Sequence, residues 1–359
     1  MRRRAFVSTL AAVPMAAQSK QVPVALLTHA AGPHLSAYLE ALSQTAEANP
    51  ITLCDASLES EAAAHKILGA KLTTVYRDPQ QLFRKEKPVF ALIPMEARLA
   101  PPVIAMALGA GAHVLAEKPA AVALRDFESL VDQAKRKNRQ LLLALANRVD
   151  PVVMEARRIM KSGDIGRIYG MEIHIVADQT RLTKAPYHQS WTAKKDRAGG
   201  GHLIWLGIHW LDLVTYLTGL QVTQVTAFTN NAGNQPIDVE DSAALALRYD
   251  DGTLATMTSG YYLDKGYHSL IKIWGAGGWL ELRKHGSAIP LEWYLNKTGA
   301  VGRYNGPSEP GGYTPFVQRV TRAFAGIESI PLTTEDGLRV LKTVFGAYRA
   351  AETKSIVTL

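Results

Sequence analysis

Two places in the chain put proton-handling side chains where a strand or helix can aim them. The first is Glu117-Lys118-Pro119, directly after His113-Val114-Leu115-Ala116, a short apolar run that reads as a buried strand. A carboxylate beside an ammonium, followed by proline, is by composition an ordinary surface turn. At the carboxyl end of a parallel strand the same residues would face bound ligands. The second place is Gly199-Gly200-Gly201-His202-Leu203-Ile204-Trp205-Leu206-Gly207-Ile208-His209-Trp210-Leu211-Asp212. Its glycines lead into a helical pattern in which Trp205, His209 and Asp212 share one face, so an indole, an imidazole and a carboxylate stand together. A histidine among apolar residues is more often part of a core, and Trp205 with Trp210 also suits packing.

A third segment bears on phosphate binding. Thr28-His29-Ala30-Ala31-Gly32-Pro33-His34 follows the first apolar strand, where backbone amides and a helix N-terminus approach a pyrophosphate in dinucleotide folds. The usual fingerprint has three glycines, and this turn has Gly32 alone. Thr28 and Ala31 are small enough for close approach, while Pro33 lacks an amide donor. Asp55 ends the second strand, where a carboxylate accepts from ribose hydroxyls and disfavours a 2′-phosphate. Taken by itself, an aspartate there is more often a cap or loop residue.

The elements that must position these residues change in kind along the chain. Val22 to Leu27, Ile51 to Asp55, Val89 to Ile93, His113 to Ala116 and Gln140 to Ala146 read as strands. Between them His34 to Ala48, Ser60 to Leu68, Pro102 to Gly109 and Asp126 to Lys137 read as helices. This alternation predicts an α/β protein whose N-terminal domain, residues 21–147, is a Rossmann-like doubly wound parallel sheet. After a helix from Pro151 to Ser162, longer alternating strands follow: Ile168 to Ala177, Val222 to Asn230, Ser242 to Tyr249, Thr253 to Tyr261, Ser269 to Trp274 and Gly278 to Leu282. With helices at Leu203 to Thr218 and Thr334 to Thr353, they predict a C-terminal α+β domain over residues 148–359 with a large, mostly antiparallel open-faced sheet. Gly299 to Gly312 reads as a Gly/Pro-rich surface loop. The apolar alternation in Val222 to Phe228 and Leu270 to Leu282 permits a homo-oligomer, and equally suits packing on helices.

Composition narrows the function classes. The chain has 359 residues, 47% hydrophobic and 20% charged, which favours two globular domains. No run reaches the roughly 18 apolar residues of a spanning helix, so no membrane insertion of the mature chain is expected. The net charge of +8 is scattered apart from Lys135 to Arg139 and the first four residues, which argues against nucleic acid as a partner. Cys54 is the one cysteine; it precludes an internal disulfide and a Cys-based zinc site, and no metal is expected. Residues 1–20 run from Arg2-Arg3-Arg4 through Val7-Ser8-Thr9-Leu10-Ala11-Ala12-Val13 to small residues. That order is of an export signal of twin-arginine-like type and predicts a periplasmic or secreted protein. The alternative is a disordered basic start on a cytoplasmic protein.

Several blocks together carry a resemblance: Ala107-Leu108-Gly109-Ala110-Gly111-Ala112-His113-Val114-Leu115-Ala116-Glu117-Lys118-Pro119, Asn147-Arg148-Val149-Asp150-Pro151, Ser162-Gly163-Asp164-Ile165-Gly166-Arg167-Ile168, Val239-Glu240-Asp241-Ser242 and Tyr249-Asp250-Asp251-Gly252. They resemble the Gfo/Idh/MocA family of nicotinamide-dependent, mostly sugar-acting oxidoreductases, over essentially everything after the signal. In that family an Asp-x-x-x-His pattern follows the glycines beside the nicotinamide; His209 matches the histidine and Trp205 stands where the aspartate is expected. The resemblance implies Lys118 and His209 as catalytic residues, Lys118 hydrogen-bonding the reacting hydroxyl and His209 acting as general base. It implies cofactor contacts from Thr28, Ala31, Gly32, Asp55, Glu117 and Lys118, and substrate contacts from Arg148, Trp191, Trp205 and Asp212, with Tyr187 and His188 secondary. The cofactor implied is NAD, favoured by Asp55, with NADP open, and the partner is a small-molecule carbohydrate. An indole at 205 would stack on a sugar ring or fill the site. Export adds the expectation of a retained nucleotide, reduced and reoxidised within one cycle. The alternatives are an NAD-dependent glycosidase of the same fold, or a carbohydrate-binding protein that has lost the cofactor and catalysis.

Overall fold

The computed structural model describes residues 20–30, 32–307 and 312–359. The export-signal reading therefore lies, apart from Lys20, outside the described residues, as does the cofactor contact expected of Ala31.

Short apolar runs from the first third of the chain become a six-stranded parallel sheet. Its strands are β1 (Val22–Thr28), β2 (Ala48–Asp55), β3 (Leu72–Tyr76), β4 (Phe90–Ile93), β5 (His113–Ala116) and β6 (Leu141–Leu143), in the order β3-β2-β1-β4-β5-β6. Helices α1 (Leu35–Gln44), α2 (Glu61–Leu68), α3 (Pro79–Lys85), α4 (Ala100–Gly109) and α5 (Leu124–Arg136) connect them. All four residues of β4 are buried, as expected of a strand covered on both faces. Because β1 is flanked by β2 and β4, the strand order reverses there, and a crevice opens beyond the carboxyl ends of β1 and β4. The sequence reading omits β3 and α3. Leu72-Thr73-Thr74-Val75-Tyr76 is an edge strand with Thr73 and Thr74 exposed, so it lacks the continuous apolar run of its neighbours. The predicted helix His34 to Ala48 ends early, at Gln44, because β2 takes Ala48.

The rest of the chain builds α6 (Pro151–Lys161), β7 (Ile168–Asp178), α7 (Ala185–Gln189), α8 (Lys195–Ala198), α9 (Ile208–Thr218), β8 (Val222–Asn230), β9 (Ser242–Tyr249), β10 (Leu254–Leu263), β11 (Tyr267–Gly275), β12 (Gly278–Leu282), β13 (Leu291–Leu295), β14 (Ala300–Arg303), α10 (Tyr313–Phe324), α11 (Thr334–Thr353) and β15 (Val357–Thr358). The second sheet runs β14-β13-β12-β11-β7-β10-β9-β8-β15. Its pairs are antiparallel except β7 with β10. Alternation along β9 and β10 buries one face and exposes the other, leaving Tyr169, Phe228 and Leu254 among the exposed large apolar residues. The expected loop Gly299 to Gly312 is corrected in part: Ala300–Arg303 is strand, paired with β13 at the sheet edge.

The last helices tie the halves together. Helix α10 packs on α1, while α11 lies against α5, β6, α9 and β8. Thr333 and Asp336 form a capping box at the start of α11, satisfying amides that the helix leaves free. One apolar core runs from β1 and β4 through α9 to β12 and α11. No helix among the described residues is long and apolar enough to cross a membrane.

Candidate active site

Strand β5 ends at Ala116 and hands Glu117 and Lys118 to the crevice at the carboxyl edge of the first sheet. Both are almost fully buried. Glu117 Oε2 accepts from the Tyr38 hydroxyl at 2.5 Å and lies 3.3 Å from both the Tyr313 hydroxyl and His34 Nδ1. Helices α1 and α10 therefore fix this carboxylate from two sides. Its other oxygen is buried with no hydrogen-bond partner among the described residues.

Lys118 has no carboxylate within 4.0 Å among the described residues; Trp205 holds it instead. The Lys118 Nζ donates to the Trp205 carbonyl at 2.5 Å and sits 3.6 Å from the centre of an indole ring. Burial pulls its ammonium down to about 7, Glu117 opposing the drop and Arg181 adding to it. Such a group exchanges protons near neutrality.

The opposite wall comes from the helix after the three glycines. Its first turn, Leu203–Gly207, is π-helical and continues into α9, and wide turns of this kind recur at functional sites. Close packing explains the glycines. A Cβ on Gly201 would lie 1.8 Å from the Glu240 carbonyl oxygen, and one on Gly200 2.2 Å from the Tyr348 hydroxyl. Glu240 accepts from the Gly201 and Leu203 amides at 2.7 and 2.9 Å and from the Tyr348 hydroxyl at 2.8 Å. It thereby sets the start of the helix that carries Trp205 and His209. His209 is half-buried, with Nδ1 unpartnered among the described residues. Burial first, then the positive charge of Lys118 and Lys284, holds its pKa well below the ordinary value. It is neutral at pH 7.

Lys118, Trp205 and His209 line one cavity of about 220 Å³ with His34, Arg181, Tyr187, Thr192, Leu206, Tyr267 and Tyr313. A second cavity of about 220 Å³ shares Leu206, His209, Tyr267 and Tyr313 with it. Trp191 stands behind Trp205, ring centres 5.3 Å apart, and supports the indole. Sequence reasoning missed Arg181, Thr192, Tyr267 and Tyr313. Arg181 and Thr192 lie in a stretch of short helical turns with no sustained period. His188 does not line the cavity; its ring contacts the Leu182 carbonyl.

Two residues expected at the substrate are placed elsewhere. Arg148 and Asp212 are 5% and 2% exposed and bind each other through two hydrogen bonds, Nε to Oδ2 at 2.9 Å and Nη2 to Oδ1 at 2.5 Å. A third bond joins Arg148 to Asp336 at 3.1 Å. Burial opposes the charge on Arg148, but the two carboxylates outweigh it and raise its pKa. This is a correction: the pair ties the 3-10 turn Ala146–Val149 to α9 and α11, and lines neither cavity.

The crevice at β1 has a shape and a set of donors that suit the phosphates of a dinucleotide. A Cβ on Gly32 would lie 2.2 Å from Thr28 Oγ1 and 2.8 Å from the Pro94 carbonyl oxygen. Only glycine lets the turn pass there, and Thr28 is pinned by its own bond to that carbonyl at 3.1 Å. Among the described residues no side chain caps α1 and no acidic residue occupies its first turn, which leaves a helix N-terminus suited to an anion. Both ring nitrogens of His29 are buried without partners among the described residues. These features fit a pyrophosphate. Asp55 does not follow the expectation of a ribose contact. It lies opposite Thr28 in the β1–β2 register but is fully buried. Its carboxylate accepts from the amides and hydroxyls of Ser57 and Ser60 at 2.6–3.0 Å. Burial works to raise its pKa, and these bonds overcome it and hold the carboxyl below its usual range. Asp55 braces its own turn. For Gly32→Ala, the crowding costs about 1–3 kcal/mol of stability, to be read by chemical denaturation; an unchanged midpoint would contradict the close approach.

Comparison with known proteins agrees with this architecture. Residues 30–145 match the family model described as "Oxidoreductase family, NAD-binding Rossmann fold", and residues 153–281 match "GFO/IDH/MocA C-terminal domain". The chain is 26% identical over 236 residues to D-apiose dehydrogenase of Paraburkholderia graminis, covering 65% of this chain and 60% of that protein. It is 26% identical over 258 residues to 1,5-anhydro-D-fructose reductase of Ensifer adhaerens, covering 69% and 72%. The match thus spans less than two thirds of the first of these relatives. The crystal structure of an oxidoreductase domain protein from Kribbella flavida superposes with a TM-score of 0.84 at 20% identity, over 94% of this chain and 99% of that one.

Proposed function

The chain belongs to the Gfo/Idh/MocA family of oxidoreductases, and on that premise we propose that it oxidises or reduces a CH–OH group of a sugar or sugar derivative with NAD as hydride partner. The observation that carries this is the meeting of Lys118, from the end of β5, with His209, from the helix of the second domain, across one cavity. NAD, when bound, supplies the hydride acceptor or donor. Thr28, Gly32 and the α1 N-terminus would hold its phosphates, and Glu117, with its unfilled oxygen, would stand beside Lys118 as a further contact.

The electrostatics favour the reverse of the two roles that the family resemblance implies. A proton leaves the hydroxyl as hydride leaves the carbon, and the acceptor works best with a pKa near that of the medium. Lys118, at about 7, meets this condition. His209 resists protonation because it is desolvated beside Lys118; as a neutral imidazole it orients the hydroxyl. Trp205, in the place of the family's aspartate, holds the lysine by its carbonyl and by its ring, and Trp191 packs against the same indole.

The basic and apolar character of residues 1–20 supports export, and little free nucleotide would be available there for exchange. We therefore infer that NAD is retained through the cycle. Protein purified from the cytoplasm without added ligand is expected to carry nicotinamide nucleotide in its absorbance and mass spectra. Nucleotide-free protein would remove the retention claim and leave the oxidoreductase reading to be tested by turnover.

A further inference from the structure

The cavity holds a guanidinium, that of Arg181, that has no carboxylate within 4.0 Å among the described residues; Asp178, three residues before it, interacts with it only at longer range. Arg181 sits on the 3-10 turn Thr180–Thr183 after β7, half-buried. Its one side-chain hydrogen bond among the described residues goes from Nη2 to the Tyr267 hydroxyl at 3.0 Å, and its guanidinium stands 5.3 Å from the Tyr261 ring centre. Arginine has five N–H donors in a planar fork, so most of its donors are unspent. No carboxylate among the described residues comes within 4.0 Å of it, whereas the buried Arg148 has Asp212 and Asp336. The neighbouring acids are committed elsewhere, Glu117 to Tyr38 and Tyr313, Glu240 to the helix start and Asp178 to the Thr180 amide. Arg181 also acts at a distance, since its charge helps to lower the pKa of Lys118 and of the buried His202. A half-buried guanidinium with spare donors and no carboxylate is a place where an anionic ligand gains charge-assisted hydrogen bonds.

We propose that Arg181 is a specificity-determining residue that binds an anionic group of the substrate, and that the substrate is a sugar acid whose carboxylate lies on the Arg181 fork while its hydroxyl-bearing carbon faces Lys118. The planar fork matches a carboxylate through two parallel bonds, and the Tyr187 and Tyr267 hydroxyls line the same wall. A phosphate dianion would call for a second permanent cation. The cavity offers instead Lys118, whose ammonium burial pulls down to about 7, and His209, which burial and Lys118 hold below its ordinary value. The inference deepens the sugar-oxidoreductase reading and rests on it for the position of the reacting carbon.

The test is isothermal titration of the full chain at about pH 8, where an arginine stays charged, with D-glucuronate against D-glucose, D-galacturonate against D-galactose, and D-glucose 6-phosphate. At least one uronate is expected to bind about 10- to 100-fold tighter than its neutral sugar, the range for hydrogen bonds to a charged group. Arg181→Gln should abolish that preference, and Arg181→Lys should restore only part of it, with melting curves confirming that both variants are folded. Equal affinity for acid and neutral sugars, tighter binding of the 6-phosphate, no binding of either uronate, or a preference that survives Arg181→Gln would overturn the proposal. Turnover with NAD is read separately. Uronate binding without turnover keeps the anion site and defeats the oxidoreductase reading, and turnover of neutral sugars alone does the reverse.

Discussion

Lys118→Met is expected to lower kcat by about 10²- to 10⁴-fold, the usual worth of a positioned proton-transfer group. Methionine preserves an unbranched stem against Trp205 and removes the charge that the ring and carbonyl now hold at 3.6 and 2.5 Å. Folding should survive, because burying an ammonium without a carboxylate partner contributes little to stability. The direction of the pH profile follows from the pKa. Lys118 titrates near 7, so wild-type kcat/KM for alcohol oxidation should rise as pH passes through that value, since only the free amine accepts the hydroxyl proton. Carbonyl reduction needs the ammonium and should fall over the same range. Both pH steps should vanish in Lys118→Met. A variant that keeps wild-type kcat, or a step near 7 that persists without Lys118, would return the proton to another group.

The second large effect is on stability. Asp212→Ala leaves Arg148 charged inside the protein with only Asp336 near it, and breaking a buried pair from one side costs about 3–5 kcal/mol. Urea unfolding should show this as a lowered midpoint at nearly constant slope. Arg148→Met combined with Asp212→Ala should recover part of the loss, because no unpaired guanidinium remains. The two changes then fail to add, as expected of residues in contact. A well-folded Asp212→Ala with a raised KM would instead put the carboxylate at the substrate.

Much of the fold was legible because burial leaves a period in the sequence. His113–Ala116, Val222–Asn230, Ser242–Tyr249, Gly278–Leu282 and Thr334–Thr353 have the same bounds in the sequence reading and in the structure. Three of the missed strands share a cause. β3, β14 and β15 lie at the edges of sheets, where one side of the strand needs no apolar partner. The short turns between residues 180 and 198 are held by loop hydrogen bonds, not by an amphipathic stripe. In the site, Glu117, Lys118, Trp205 and His209 could be singled out because they follow a buried strand or share a helix face. Arg148, Asp212 and Asp55 were equally conspicuous, but residue type does not show which partner satisfies a charge. Asp55 is filled by two serines of its own turn, and Arg148 by carboxylates 64 and 188 positions away. Arg181 and Tyr267 gave no signal because their meeting depends on a turn after β7 and a strand 86 residues later.

The return of α10 to the first domain bears on how this molecule can be taken apart. Tyr313 begins that helix and reaches both His34 and Glu117, while Phe324 near its end stacks on His113. A cut at residue 147 would strip α1 of a neighbour and Glu117 of a hydrogen-bond donor, although neither lies near the cut in sequence. The nucleotide-type half is therefore not a transplantable module. Grafting it onto another member's substrate half would require carrying residues 313–324 along with it, as a discontinuous exchange.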